Sequence, residues 1–301
     1  MRATTLLNRV LKFSGTNITT VEFDGQGPVI ATVKLTARKK LSCPHCPFTT
    51  KAAYDTRWAE STWRHLDLGG TPLVLKMLRR RLRCPEHGVV VQAVPFARPN
   101  ARFTRDFEDL VAWLVTRADK SSVSAFTRIA WRTVGAICER VVEEQLDDTR
   151  FENLVSLGVD EISWKKHHNY LTLISDHETS TILWGAAGKN AATLDKFFTE
   201  IGPENTQSIE AVSMGMISQW CDAATASGMA PFMKTGATLR GHMEGIYQAV
   251  TRKISNGKHE GLNNKIRTMT RRSYGFHSPE ATLALIMLAC GPVTTRLPYH
   301  K

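Results

Sequence analysis

The chain has 301 residues, which is long enough for two or three domains with separate cores. Its apolar fraction of 42% and charged fraction of 22% are ordinary for folded proteins and exclude a disordered chain. No run of about 18 apolar residues and no signal-peptide segment is present, so we expect a cytoplasmic protein that does not enter a membrane.

Positive charge is concentrated in the N-terminal third. The net charge is +11, and residues 1–105 contain 18 Lys and Arg against 6 Asp and Glu, so the remainder is close to neutral. A segregated basic region predicts binding to a polyanion, above all nucleic acid. A surface that only aids solubility is the alternative, but segregation of the charge favours nucleic acid.

Two short motifs in this basic region predict a metal site. Cys43-Pro-His-Cys46 and Cys84-Pro-Glu-His87 form the pattern C-x2-C…C-x2-H. Two-residue spacing lets both ligands of a tight turn face one ion, and three thiolates with one imidazole suit tetrahedral structural Zn²⁺. Unpaired thiols are the alternative, since 37 residues separate the half-sites. His45 is an alternative ligand, although the turn directs it away.

Two runs beside these motifs, residues 29–35 and 73–78, predict strands. The second run leads directly into a cluster of arginines before Cys84. Planar guanidinium groups beside a rigid metal site suit bidentate phosphate contacts, whereas the alternative is a charged edge strand. The residues expected to contact DNA here are Arg79, Arg80, Arg81 and Arg83.

Helical periodicity begins at Phe107. A first helix is predicted by apolar residues at Phe107, Leu110, Val111 and Leu114. A second helix is predicted over residues 123–129, with Ser121 or Ser122 as its cap and with Ala125 and Ile129 facing inward.

A third helix is predicted over residues 132–142, after a turn near Ala130 and Trp131. Its apolar stripe consists of Val134, Ile137, Cys138 and Val141. Two short helices joined by a compact turn are typical of a helix-turn-helix, and also of any small three-helix bundle. In the helix-turn-helix interpretation, Arg128 and Arg132 face the DNA.

The C-terminal half changes to strand periodicity. Strands are predicted over residues 154–162, 170–175 and 182–187, followed by a helix over 193–201 and a strand over 209–216. This order, with Asp160 closing the first strand, is that of a ribonuclease-H-like fold. Such a fold holds carboxylates at strand ends, where they can bind the Mg²⁺ ions of phosphodiester cleavage.

Glu260 is the candidate acid from a helix. Residues 252–272 contain seven Lys and Arg against this one acid, so the sequence alone favours an ordinary solvated helix residue. The motif around Glu260, residues 255–265, favours a catalytic acid instead, through the resemblance given next.

The separated blocks together resemble the bacterial insertion-sequence transposases of the ISL3 family. Residues 159–166 look like the first catalytic strand of that family, and residues 255–265 with 271–276 look like its catalytic-glutamate helix. The cysteine motifs resemble its N-terminal zinc finger, and residues 127–135 its helix-turn-helix.

The resemblance implies a DDE-type transposase. Such a protein binds double-stranded DNA at inverted-repeat ends as a homo-oligomer, in the bacterial cytoplasm and associated with the nucleoid, and uses structural Zn²⁺ and catalytic Mg²⁺. Asp160 and Glu260 would hold the Mg²⁺, and Lys265, Arg271 and Arg272 would contact DNA phosphates beside them. The expected domains are a zinc-finger domain at 1–105, a helix-turn-helix region at 106–150 and an incomplete ribonuclease-H-like domain at 151–301.

The chain departs from the family pattern at Gly215, where the second catalytic Asp is expected. Only 45 positions separate Gly215 from Glu260, the interval contains no further strand-like run, and residues 229–232 look like the junction of an internal deletion. Asp222, Glu210 and Asp176 are poorly placed to substitute for the missing acid. We therefore expect a transposase that is defective in cutting; the alternative is a non-cutting DNA-binding repressor of active copies.

Overall fold

The computed structural model describes residues 2–165, 169–214, 237, 257–273 and 276–298. The chain folds into two compact units, one of residues 1–110 with 296–301 and the other of residues 111–295. Among the described residues, no helix is long and apolar enough to cross a membrane. The division into three domains stays a prediction.

The first unit is mainly β-structure and begins with helix α1 (Ala3–Leu11). Its strands are β1 (Thr16–Glu22), β2 (Val29–Leu35), β3 (Leu41–Ser42), β4 (Thr49–Thr50), β5 (Trp58–Arg64), β6 (Leu73–Cys84) and β7 (Gly88–Val91). One sheet has the order β1-β2-β6-β5 with β7 also paired to β6, and β3 with β4 forms a separate hairpin.

Strand β6 joins two hydrophobic cores of this unit. Its odd-numbered residues Leu73, Leu75 and Met77 are buried in the larger core. At its other end, the even-numbered residues Leu82 and Cys84 are buried in a smaller core around the cysteines. Because side chains alternate along a strand, β6 changes the face that it buries between these cores. The clustered arginines lie on β6 where the buried face changes; they are Arg79, Arg80, Arg81 and Arg83.

The helices after the first unit's sheet are α2 (Arg105–Val115), α3 (Lys120–Thr127) and α4 (Trp131–Gln145), followed by a short 3-10 turn at Asp148–Phe151. The first and third helices are as expected from the sequence. The whole predicted stripe of α4 is buried, namely Val134, Ile137, Cys138 and Val141.

The start and orientation of α3 differ from the prediction. The helix begins at Lys120, and its cap is Asp119, whose carboxylate accepts a hydrogen bond of 2.9 Å from the backbone N–H of Ser122. Lys120, Val123 and Thr127, at steps of three and four residues on one face, are the buried positions. Ala125 is exposed because it lies on the opposite side of the helix.

The second unit contains a four-stranded sheet. Its elements are β8 (Ser156–Lys165), β9 (Asn169–Asp176), β10 (Thr181–Ala187), helix α5 (Ala191–Gln207) and β11 (Ala211–Met214). The order is β10-β9-β8-β11, with β9 antiparallel to both neighbours and β11 parallel to β8. This is the strand arrangement expected of a ribonuclease-H-like fold.

Two further helices, α6 (Gly257–Arg272) and α7 (Pro279–Cys290), complete the described part of the second unit. Helix α7 is buried along most of its length and contacts α4, β10 and α6. A Cβ atom at Gly185 of β10 would lie 2.5 Å from Cδ2 of Leu283, so the absent side chain permits this close packing. Helix α7 therefore connects the helix-turn-helix region to the sheet within one unit.

Candidate metal centre and nucleic-acid interface

The two cysteine motifs come together at one point of the first unit. The ligand atoms of Cys43, Cys46, Cys84 and His87 all lie within 4.8 Å of one another. The Sγ atoms of Cys46 and Cys84 are 3.5 Å apart, and Nδ1 of His87 is 3.5 Å from Sγ of Cys84. Tetrahedral Zn²⁺ bonds of about 2.0–2.3 Å require ligand separations of roughly 3.5–3.8 Å. The cluster fits structural zinc, as its residue types indicated.

Two hairpins position these ligands. Cys43 and Cys46 lie in the turn between β3 and β4, and the second motif forms the turn between β6 and β7. Gly88 closes the second turn with a φ of 66°, a conformation in which a side chain would be strained. The backbone N–H of His45 donates to Sγ of Cys43 at 3.4 Å, so the first turn supports its thiolate directly.

The pKa values of two thiols in this cluster are shifted in opposite directions. Although burial raises the pKa of Cys84, hydrogen bonds from His87 and the backbone lower it to about 6. A backbone hydrogen bond from Phe48 lowers the pKa of Cys46, but burial and the neighbouring Cys84 and Cys43 raise it to about 11. The second thiolate is therefore unfavourable beside the first unless positive charge, such as Zn²⁺, lies between them.

Two of the four clustered arginines are held by the protein itself. Arg79 donates to Oγ of Ser61 at 2.9 Å and to the carbonyl oxygen of Gln92 at 3.2 Å. Arg81 forms an ion pair with Asp55, which raises the pKa of this guanidinium. Both side chains are bound within the first unit before any DNA is present.

Arg80 and Arg83 are placed differently. The guanidinium of Arg80 lies 5.2 Å from the ring centre of Trp58, and that of Arg83 lies 5.3 Å from the ring centre of Tyr54. Both rings are themselves exposed, and neither guanidinium has an ion-pair partner among the residues that the structure describes. Ring contacts orient these two cations while leaving their N–H groups available to phosphate.

The helix-turn-helix candidates are exposed where α3 ends and α4 begins. Arg128 follows α3 in the left-handed conformation, with a φ of 56°, and its backbone N–H caps that helix. Arg132 is in the first turn of α4 and is exposed. These positions suit contacts at the start of a recognition helix.

Asp160 lies within β8 and not at its end, contrary to the sequence prediction. The strand continues because its antiparallel pairing with β9 continues, as far as Lys165 opposite Asn169. The described pairing with β11 does end beside Asp160, since its last pair joins Met214 to Val159. Asp160 is partly exposed there.

Asn263 of α6 contacts this acid, which sequence analysis did not foresee. Its side-chain amide donates a hydrogen bond to Oδ2 of Asp160. Glu260 lies three residues earlier in the same helix, a rise of about 4.5 Å. The side chain of Glu260 is outside the described part of the structure. The only signal for Asn263 in the sequence is its place one turn after that acid. The carboxylate of Asp160 offers the hard oxygen ligands that Mg²⁺ prefers.

The basic residues predicted near Glu260 have distinct surroundings. Lys265 donates from Nζ to the carbonyl oxygen of Ala289 at 2.6 Å, at the C-terminal turn of α7. A cation there interacts favourably with the helix dipole. Arg271 and Arg272 are exposed in the last turn of α6.

Asp176 stabilises the turn that follows β9. Its carboxylate accepts hydrogen bonds from the backbone N–H groups of Glu178 and Thr179 at 2.9 and 3.0 Å. Gly215, Asp222 and the suggested junction at 229–232 lie outside the described residues.

Comparison with known sequences matches the chain in three successive blocks. The zinc-finger of transposase IS204/IS1001/IS1096/IS1165 matches residues 39–87, and the helix-turn-helix domain of transposase family ISL3 matches residues 92–142. The transposase domain of the ISL3 family matches residues 157–219 and 215–286. The three blocks are a zinc ribbon, a helix-turn-helix and a DDE domain, in that order along the chain. The chain belongs to the ISL3 family.

Curated relatives agree with this assignment. The transposase for insertion sequence element IS1557 of Mycobacterium tuberculosis is 41% identical over 219 residues, which are 70% of this chain and 48% of that protein. The transposase for insertion sequence element IS1001 of Bordetella parapertussis is 23% identical over 183 residues, which are 60% of this chain and 45% of that protein. The chain thus spans about half the length of the curated relatives it matches.

Proposed function

We propose that this protein is a transposase of an insertion sequence that binds inverted-repeat DNA ends but no longer cuts them efficiently. The proposal is carried by Gly215, a residue without a side chain at the position where the family resemblance implies the second catalytic Asp. The chain keeps the modules for holding DNA and loses one anchor of the metal centre.

The first unit and the helix-turn-helix provide the DNA contacts. The basic excess of residues 1–105 attracts the phosphate backbone, and Arg80 and Arg83 are oriented toward solvent by exposed rings. Arg128 and Arg132 contact the major groove, and Arg271 and Arg272 contact phosphates beside the metal centre. End binding by a homo-oligomer is part of this proposal.

The metal centre is built on Asp160 and Glu260. Mg²⁺ bound there would activate the attacking water or hydroxyl and stabilise the leaving oxygen. Asp160 supplies a carboxylate directly after Val159, the last residue of β8 in the described pairing with β11, and Glu260 supplies one from α6. The register of β11 on β8 supports Gly215 as the missing ligand, because Met214 and Val159 immediately precede Gly215 and Asp160. Loss of one member of such a constellation reduces rates by orders of magnitude.

A second function follows from the same defect. A protein that binds ends without cutting them occupies sites that an active transposase needs, and it would act as a repressor or competitor. The cysteine cluster supports this role, because the ligands of the proposed zinc site are assembled, whereas the proposed metal centre has glycine at position 215.

The test is a parallel assay of end binding and strand cleavage with the full chain. We expect salt-dependent, sequence-specific binding to inverted-repeat ends and no cleavage with Mg²⁺ or Mn²⁺. Robust cleavage that Asp160→Ala abolishes would show that the copy is active. Failure to bind the ends at modest salt would remove both functions. Inhibition of an active relative on the same ends would support the repressor role specifically.

A further inference from the structure

We propose that Asn263 is a positioning residue of the metal centre, which holds Oδ2 of Asp160 so that the other carboxylate oxygen is available to a divalent cation. The inference rests on the metal centre proposed above and assigns a residue to it outside the three expected acids. Its starting point is the hydrogen bond from the Asn263 amide to Oδ2.

The placement of Asn263 on α6 supports a specific role. The buried face of this helix contains Ile266 and Met269, which are three residues apart. Steps of three and four residues keep a helix face, so Asn263, three residues before Ile266, continues that face toward the N-terminus. A polar residue thus stands where the apolar face reaches Asp160.

The chemistry of an amide suits this place. An amide N–H stabilises a carboxylate orientation without adding a positive charge that would compete with the metal ion. A lysine or arginine there would instead neutralise Asp160 and displace the cation. The contact also spans 103 positions in the sequence, so it joins the helix of Glu260 to the strand of Asp160.

Asn264 provides a matched control on the same helix. It has the same side chain and is the next residue, but it is exposed, and its hydrogen bond to Thr268 uses only its backbone carbonyl. Replacing Asn263 or Asn264 by alanine removes the same atoms from the same helix. Only the first removes the contact with Asp160.

The experiment measures Mn²⁺ binding to the zinc-loaded full chain by electron paramagnetic resonance, with Asp160→Ala defining the centre. We expect Asn263→Ala to weaken the Asp160-dependent Mn²⁺ affinity by about tenfold or more, as for other residues that orient metal ligands. Asn264→Ala should leave this affinity unchanged. Fe²⁺-dependent hydroxyl-radical cleavage of the backbone near Asp160 reports the same centre independently.

A second variant separates positioning from simple packing. Asn263→Asp replaces the donor with a like charge beside Asp160, so its thermal stability should fall without metal and recover when Mn²⁺ is added. If the contact were purely structural, both Asn263 variants would have a lower thermal stability that Mn²⁺ does not restore. That result would overturn the inference. Unchanged Mn²⁺ affinity in Asn263→Ala overturns it too, as does the absence of any Asp160-dependent binding. End binding measured on the same preparations tests the DNA-binding function separately.

Discussion

The ammonium of Lys120 lies 3.6 Å from the ring centre of Trp131, in the interior of the second unit. Lys120 is only 3% exposed, and its Nζ atom has no hydrogen-bond partner among the described residues. Gly135 leaves room for it, since a Cβ atom there would lie 3.0 Å from Nζ and 2.7 Å from Cε1 of His277. The aromatic ring thus replaces a polar acceptor at the junction of α3 and α4.

Replacing Lys120 by methionine should preserve or raise stability at neutral pH. Burial lowers the pKa of Lys120, opposed by charge on Cys138 and Glu139, so the unfolded chain binds this proton more tightly. The free energy of unfolding therefore rises with pH between the lowered pKa and the ordinary value of 10.5. Methionine fills the same volume without the charge, so its advantage of about 1 kcal/mol should shrink over that window.

Denaturant unfolding of both proteins at neutral and alkaline pH measures this difference. Lys120→Ala is the control, and it should be less stable than either because it leaves a cavity. If the methionine variant were less stable by more than about 1 kcal/mol at neutral pH, the contact with Trp131 would outweigh the desolvation of the ammonium.

Zinc removal should unfold the small core of the first unit. Cys84→Ser removes a thiolate that lies 3.5 Å from two other ligands. We expect this variant to lose both its bound zinc and its salt-dependent DNA binding. Metal content by mass spectrometry and thermal unfolding report the change. His45→Ala is the matched control in the same turn, because His45 lies outside the four-ligand cluster. Zinc loss in that control would mean that His45 is a ligand.

The four clustered arginines should fall into two classes, according to whether their replacement weakens DNA binding or lowers stability. Arg80→Ala and Arg83→Ala should weaken DNA binding, and each should reduce the slope of log affinity against log salt by about 0.9, with little change in stability. Arg79→Ala and Arg81→Ala should instead lower the melting temperature, because they remove internal hydrogen bonds and an ion pair. Titrations across a salt series and thermal unfolding measure both properties. Equal effects of all four variants on the salt slope would contradict the separation.

Spacing in the sequence was sufficient for local features of this chain. Two-residue motif spacing identified all four members of the cysteine cluster, and the stripe from Val134 to Val141 identified the buried face of α4. Each cysteine motif and the apolar stripe of α4 are set by the geometry of residues only a few positions apart in the chain. Periodicity also identified the succession of three strands, a helix and a further strand in the second unit.

Features set by tertiary contacts did not follow from spacing. Asp119 caps α3 because the helix begins at Lys120, whose burial depends on Trp131 from another helix. Asp160 is inside its strand because β9 continues to pair beyond it. Asn263 gains its role only when α6 meets β8, and α7 is apolar on nearly all sides, so it has no periodicity to reveal its neighbours.

Gly215→Asp should strengthen metal binding without restoring cutting. The new carboxylate follows Met214, which pairs with the residue before Asp160, so we expect Asp160-dependent Mn²⁺ affinity to increase. Cleavage of inverted-repeat ends should remain absent. This expectation rests on the sequence, since the 44 residues between Gly215 and Glu260 contain no run that predicts the further strand implied by the family resemblance.

Mn²⁺ titration and strand cleavage of Gly215→Asp, with the double variant Asp160→Ala/Gly215→Asp as control, distinguish these two requirements. The double variant should lose the gain in affinity, because the new acid acts together with Asp160. Recovered turnover in the single variant would show that one carboxylate was the whole defect. We expect binding without cutting because three carboxylates can bind a cation even when they do not align it with the scissile phosphate. That alignment depends on the surrounding sheet.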